Sequence, residues 1–206
     1  FGSDFLSNVC NGVLSRCGTH EQVFEAMKTE SGLAEEFAEL IVVKTKPILK
    51  SLNLIARNIV VNARAFTKAS FFEKGPAKLW FGESFRNWIL PAIPDEIPEF
   101  QGNLAKHELM KSMNDSEILA ELGSPQPFTI PECVASVKSL VEKQPQGEAG
   151  TLLSNGYANI FYVQLEDGRV VAAGVYWVSG CREWDLGAYG LGGGGWSGGD
   201  CVFSRN

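Results

Sequence analysis

The chain has 206 residues, with 18 Lys+Arg against 24 Asp+Glu, 45% apolar and 20% charged residues, and a mean hydropathy of −0.02. This balance excludes a disordered polyelectrolyte, and the glycines lack the triplet period of a collagen. No run reaches the ~18 apolar residues of a bilayer crossing, so the sequence reads as a soluble globular protein, one large domain or a medium one plus a small one.

The cysteines, Cys10, Cys17, Cys133, Cys181 and Cys201, are odd in number, so they cannot form a complete disulfide set, and a reducing, cytoplasmic location is expected. No CxxC occurs, and His20 and His107 form no dense cluster with the thiols, so neither a metal nor another cofactor is expected. The chain opens Phe1-Gly2-Ser3-Asp4, without Met or a basic stretch before an apolar one; the expectation is a trimmed or excerpted chain with no intact signal peptide.

Charge is segregated along the chain. Residues 1–40 are net −5, residues 41–90 net +7 and residues 91–206 net −8. Thr19 with Gln22 reads as a capping box for a helix over 20–30, with a second helix over 33–43. Pro47 opens a longer helix to about Lys68, because Leu49, Leu52, Ile55, Ala56, Ile59 and Ala63 fall in one arc at ~100° per residue. Lys46, Lys50, Arg57, Arg64 and Lys68 would then form a basic ridge on the opposite side.

Gly75-Pro76 breaks the chain before the aromatic run Trp80, Phe81, Phe85 and Trp88, and Pro91, Pro94 and Pro98 mark an extended connection. Short helices are expected over 104–113 and 115–122, the second stopped by Gly123. Another is expected from the Thr129/Glu132 capping box to about Lys143. The polar stretch from Gln144 to Gly150 is the candidate boundary. Beyond it the period changes to two. Residues 158–165 and 170–178 read as a hairpin turning at Asp167-Gly168, with a third strand over 183–189 and a fourth over 201–204. The expected fold is therefore α+β: a mostly helical part over 1–145, then a small antiparallel sheet of three or four strands over 151–206 packed on it.

Within that last part, Gly156-Tyr-Ala-Asn-Ile-Phe-Tyr-Val-Gln-Leu165, Trp177, Trp184, Asp200 and the ending Val202-Phe-Ser-Arg-Asn206 resemble a recurrent stretch of uncharacterised bacterial proteins. The resemblance covers about the last sixty residues. It implies a bacterial origin and a discrete C-terminal β unit, and no activity or site residue.

Two glycine motifs invite catalytic readings. Gly195-Trp-Ser197-Gly-Gly199 matches GxSxG, but only seven residues follow and none is histidine, so the helix, acid and base of a nucleophile elbow are missing. Gly190-Leu-Gly192-Gly-Gly-Gly195 matches GxGxxG, yet no room remains for the helix and the distant acid of a dinucleotide site. The eight glycines between 187 and 199 read instead as a loop with close backbone approach. Cys17 and His20 are separated by the expected cap at Thr19, and His107-Glu108 lacks the second histidine of a zinc-protease helix.

The surviving feature is the basic ridge, which is either a solvated face answering the acids of 20–40 or a contact surface for an anionic partner. The leading expectation is a non-enzymatic binding protein that contacts an acidic protein or nucleic acid through Lys46, Lys50, Arg57, Arg64 and Lys68, with Trp80 and Trp88 stacking on bases. A structural or assembly protein, self-associating through an exposed edge of the C-terminal sheet, is the second reading. An enzyme built from dispersed Cys, His and carboxylate groups is the third.

Overall fold

The apolar spacing that predicts a helix after Pro47 belongs to a bulged β-strand, β1 (Leu52–Ala63). In a computed structural model of the chain, the described residues are 51–73 and 75–206, and all belong to one unit, Ser51–Asn206. The helices expected over 20–30 and 33–43, the Cys17/His20 pair, Lys46 and Lys50 lie outside the described residues.

Strand β1 pairs antiparallel with β5 (Phe100–Leu109), with register shifts between Leu54 and Ala56 and between Ala56 and Ile59. A bulge inserts an unpaired residue, and each insertion breaks the period of two. Leu52, Ala56 and Ile59 are the least exposed positions between 52 and 60 and are spaced by four and three, which imitates a helical stripe although Leu52 and Ile59 pack on opposite faces of the sheet. Asn58 lies in the bulged section at φ 56°, a conformation foreign to a helix interior. Ile55, Ile59, Val60 and Val61 also favour a pleated surface.

The other misread segment is β5 itself, expected as a helix over 104–113. Ala105-Lys-His-Glu-Leu109 has good helix propensity, but the segment is hydrogen-bonded to β1 on one side and to β12 (Cys201–Arg205) on the other. Two ladders outweigh a few tenths of a kcal/mol per residue of propensity.

The remaining elements in chain order are β2 (Phe66–Thr67), α1 (Lys68–Phe72), β3 (Leu79–Phe81), α2 (Glu83–Trp88) and a single 3-10 turn at Leu90–Ala92. After β4 (Glu96–Ile97) and β5 come β6 (Met113–Asn114), α3 (Asp115–Glu121), β7 (Phe128–Thr129) and α4 (Ile130–Val141). The chain ends with β8 (Asn159–Gln164), β9 (Val170–Val178), β10 (Glu183–Gly190), β11 (Gly195–Trp196) and β12. Complete capping boxes open α3, at Asn114 with Glu117, and α4, at Thr129 with Glu132. Gly123 follows α3 at φ 77°, and Gly168 supplies φ 84° in the β8–β9 turn.

The eight-stranded sheet runs β1-β5-β12-β8-β9-β10-β3, with β7 also paired to β8. It is mixed: β12 and β7 lie parallel to β8 and β3 parallel to β10, while the other pairs are antiparallel. The expected arrangement, a helical part to 145 followed by a small antiparallel sheet, is therefore overturned. Helices and strands are interspersed, and strands from both sides of residues 144–150 share one large sheet. The C-terminal strands β8, β9, β10 and β12 are flanked on both sides, so the sheet's outer strands are β1 and β3.

Residues 144–152 form a hydrogen-bonded turn. The Gln144 side chain donates to the carbonyls of Glu148 and Leu152 and accepts from Leu152 N, while its own carbonyl accepts from Trp184 Nε1 at 2.9 Å. Gly147, at φ 72°, lies against Trp177: a Cβ there would fall 2.1 Å from the indole. Trp177 and Trp184 pack at 5.3 Å in the main core, under α1, α2 and α4. Burying Trp184 completely is worth at most about 4–6 kcal/mol, from ~150–250 Å² at ~25 cal/mol per Å².

The opposite face of the sheet buries Leu109, Ile160, Tyr162, Ala172 and Val202 with Ile118 of α3 and Trp196 of β11. This second, smaller core is where the glycine-rich stretch docks. Among the described residues, no helix is long and apolar enough to cross a membrane.

Candidate functional site

Two glycines face each other across the β9–β10 ladder, Gly174 opposite Gly187, and each is followed two residues later by a tyrosine. Side chains at i and i+2 share a face of a strand, so Tyr176 and Tyr189 project on the same side as the bare glycines. Both rings lie down over them. A Cβ on Gly174 would fall 2.8 Å from Cε2 of Tyr176, and one on Gly187 would fall 2.8 Å from the hydroxyl of Tyr189. Because glycine has no side chain, the tyrosines can lie along the sheet with their rings over Gly174 and Gly187. Burial above all, then Tyr189 and the charges of Asp200 and Asp185, push the Tyr176 phenol well above its usual range. It stays protonated at every ordinary pH.

Over this floor runs the loop from Gly190 to Gly199, and two buried aspartates fasten it. Asp115 stands in the first turn of α3, where the exposed backbone N–H groups of a helix start favour an acid. Its Oδ1 accepts from Tyr162 Oη at 3.0 Å and from Trp196 Nε1 at 2.8 Å, and its Oδ2 accepts from Gly192 N at 3.1 Å. Burial, then the charge and hydrogen bond of Asp115, raise the Tyr162 phenol far above its ordinary value. Asp200 closes the other end: Oδ1 accepts from Ala158 N and Oδ2 from Ser197 N, both at 2.7 Å. Gly199, at φ 98°, leaves room for the Tyr157 ring, which lies 3.0 Å from where a Cβ would stand.

Between loop and floor opens a cleft of about 570 Å³. Trp88, Tyr157, Tyr176, Tyr189 and Trp196 wall it, with Ser84, Ser197 and loop glycines between them, and Asp115 and Asp200 reach its lining. Tyr189 and Trp196 meet edge to face at 5.4 Å. The two acids are only 4% and 6% exposed, and among the described residues neither is in an ion pair. Among the described residues of the lining there is no Lys, Arg, His or Cys.

The glycine stretch is thus held rigidly at Gly192, Trp196, Ser197 and Asp200, and Gly195-Trp196 pairs with Met113-Asn114 as a short ladder. Ser197 of the GxSxG motif lies in a lining with no histidine or lysine among its described residues to take its proton. Cys133 and Cys201 do not substitute. Burial raises the Cys133 thiol to about 12 and the Cys201 thiol to about 11, so both are inert protonated thiols at neutral pH. Among the described residues, no cluster of His, Cys, Asp and Glu has the makings of a metal site.

Among the described residues, the bases of the predicted ridge do not share a helix face. Arg57 sits in the bulged part of β1, Arg64 in the two residues between β1 and β2, and Lys68 at the start of α1. Lys68 is committed within the fold, its Nζ donating to the carbonyls of Leu90 at 2.6 Å and Ile93 at 3.3 Å. Arg64 instead lines a shallow groove with Lys138, Lys143 and Glu142. Trp80, on the outer strand β3, is 45% exposed and has the Arg86 guanidinium 5.7 Å from its ring centroid. Among the expected residues that are described, Trp88 alone belongs to the cleft, with Arg169 5.9 Å from its ring.

The sequence reading missed Asp115, Tyr157, Tyr176, Tyr189, Trp196 and Asp200. One signal was present: Gly174-Val-Tyr176 and Gly187-Ala-Tyr189 repeat glycine-x-tyrosine in two successive strands, the pattern of an aromatic ring covering a strand glycine. No family model matches this sequence, and no curated protein and no solved structure matches it.

Proposed function

We propose that this chain is a binding protein whose ligand site is the cleft between the tyrosine floor and the glycine loop, and that it holds its ligand without covalent chemistry. The observation that carries this reading is the prebuilt cavity: about 570 Å³, within the usual range for small-molecule sites, ringed by five aromatic side chains. Rings on such a wall offer contact area at little entropic cost, because each has only two side-chain torsions to freeze. The loop is tied to two carboxylates by three hydrogen bonds, from Gly192 N, Trp196 Nε1 and Ser197 N, so little ordering remains for binding to drive. The anionic-partner reading needed one helix face to align its bases, and in the described residues those bases stand on a strand, a turn and a helix start.

The test is a fragment screen by ligand-observed NMR on the wild type and on Tyr157→Leu and Trp88→Leu, two substitutions at partly exposed rings. Fragments that bind the wild type and lose at least about tenfold in affinity, ~1.4 kcal/mol, on either substitution support the cleft. Binding indifferent to both, or no binding at millimolar fragment, refutes it.

A further inference from the structure

Resting on that reading, we propose that the cleft selects a small organic ammonium ion, an alkyl- or arylammonium whose apolar body lies on the rings. Aromatic rings carry negative charge on their faces, and Trp88, Tyr157, Tyr176, Tyr189 and Trp196 surround one cavity, the arrangement that attracts cations with apolar substituents. Arg169 already lies over Trp88, and Arg86 over the neighbouring Trp80. The cleft's own charge points the same way. Asp115 and Asp200 accept five hydrogen bonds from neutral donors, the N–H groups of Ala158, Gly192, Trp196 and Ser197 and the hydroxyl of Tyr162. Neutral donors stabilise a carboxylate without cancelling its charge, so two negative charges remain beside a cavity that has no cation among the described residues of its lining. Arg169, which lies over the wall residue Trp88, is paired with Asp167 at 2.7 Å.

The same facts disfavour other occupants. An anion would meet two buried charges of its own sign, so the glycine loop is no phosphate cradle. A sugar needs free, oriented acceptors and donors, whereas both oxygens of each carboxylate here already accept a hydrogen bond from the protein. What the aspartates still offer is field, and field acts on charge.

The experiment compares four probes by calorimetry and tryptophan fluorescence at constant ionic strength: choline, its uncharged analogue with carbon in place of the quaternary nitrogen, glucose and inorganic phosphate. Choline should bind at least about tenfold more tightly than the uncharged analogue, the size of a desolvated cation–aromatic contact. Tyr157→Leu and Trp88→Leu should each shrink that ratio, and Asp200→Asn should shrink it further if the variant folds. If the analogue or glucose binds as well as choline, or if phosphate binds better, the ammonium inference is overturned while the cleft remains a ligand site. If no probe binds and no fragment does either, both readings fall together.

Discussion

Removing the Asp115 carboxylate should release the glycine loop, and the cost can be worked out from its partners. In Asp115→Ala, two buried donors, Tyr162 Oη and Trp196 Nε1, and the partly buried Gly192 N–H lose their acceptor. Each orphaned buried donor costs about 1–3 kcal/mol, and the lost acid in the first turn of α3 adds about 0.3–1 kcal/mol. Relief from burying a carboxylate offsets part of this, which leaves an expected loss of about 2–4 kcal/mol, a large share of a typical ~5–15 kcal/mol. Asp115→Asn should fall between this variant and the wild type. Its Oδ1 can still serve Tyr162 and Trp196, but an NH₂ then faces the Gly192 N–H and one bond becomes a repulsion. Urea unfolding with far-UV circular dichroism gives the free energies, and the Trp196 emission should shift to the red in Asp115→Ala. Combining Asp115→Ala with Tyr162→Phe should show a coupling of at least about 1 kcal/mol. A loss for Asp115→Ala below about 0.5 kcal/mol, comparable to an ordinary surface change, would refute the claim that this carboxylate fastens the loop.

Gly174→Ala should destabilise by about 1–3 kcal/mol, because its Cβ would enter the space of the Tyr176 ring; a neutral result in urea unfolding would mean that the ring is not lying over the glycine. Thr129→Ala, which removes the hydroxyl of the α4 capping box, should cost about 1 kcal/mol in the same assay, with wild-type stability counting against the cap. The fold should also weaken in alkali. Cys133 binds its proton more tightly in the fold, up to about 12, than at the unfolded 9.0. The stability this contributes is complete below pH 9.0 and is lost as pH rises toward about 12. Cys133→Ala should therefore flatten the fall of the urea midpoint over that window, and an unchanged slope would show that this thiol is not responsible.

The capping boxes at Asn114 and Thr129, the turn at Asp167-Gly168 and the period-two strands after residue 158 depend on neighbours within a few positions. Of these, only the Asn114 box was not read in advance, although the helix it opens was expected over 115–122. Such features are legible because capping, turn chemistry and alternation are short-range physics. Segments 52–63 and 100–109 were not. In β1 the bulges around Ala56 hide the period of two, and in β5 the partners that override helix propensity come from segments some 40 and 100 residues away along the chain.

The cleft lies at the far end of that scale. Trp88 ends α2, Asp115 begins α3, Tyr157 precedes β8, Tyr176 and Tyr189 stand on paired strands, and Trp196 and Asp200 lie beyond the glycine run. Taken alone, each reads as a core aromatic or a surface acid. Local sequence could supply the strands and the glycines that let two tyrosines lie flat. Tertiary structure decided the rest, because hydrogen bonds between strands distant in sequence bring the rings and the two carboxylates to one cavity.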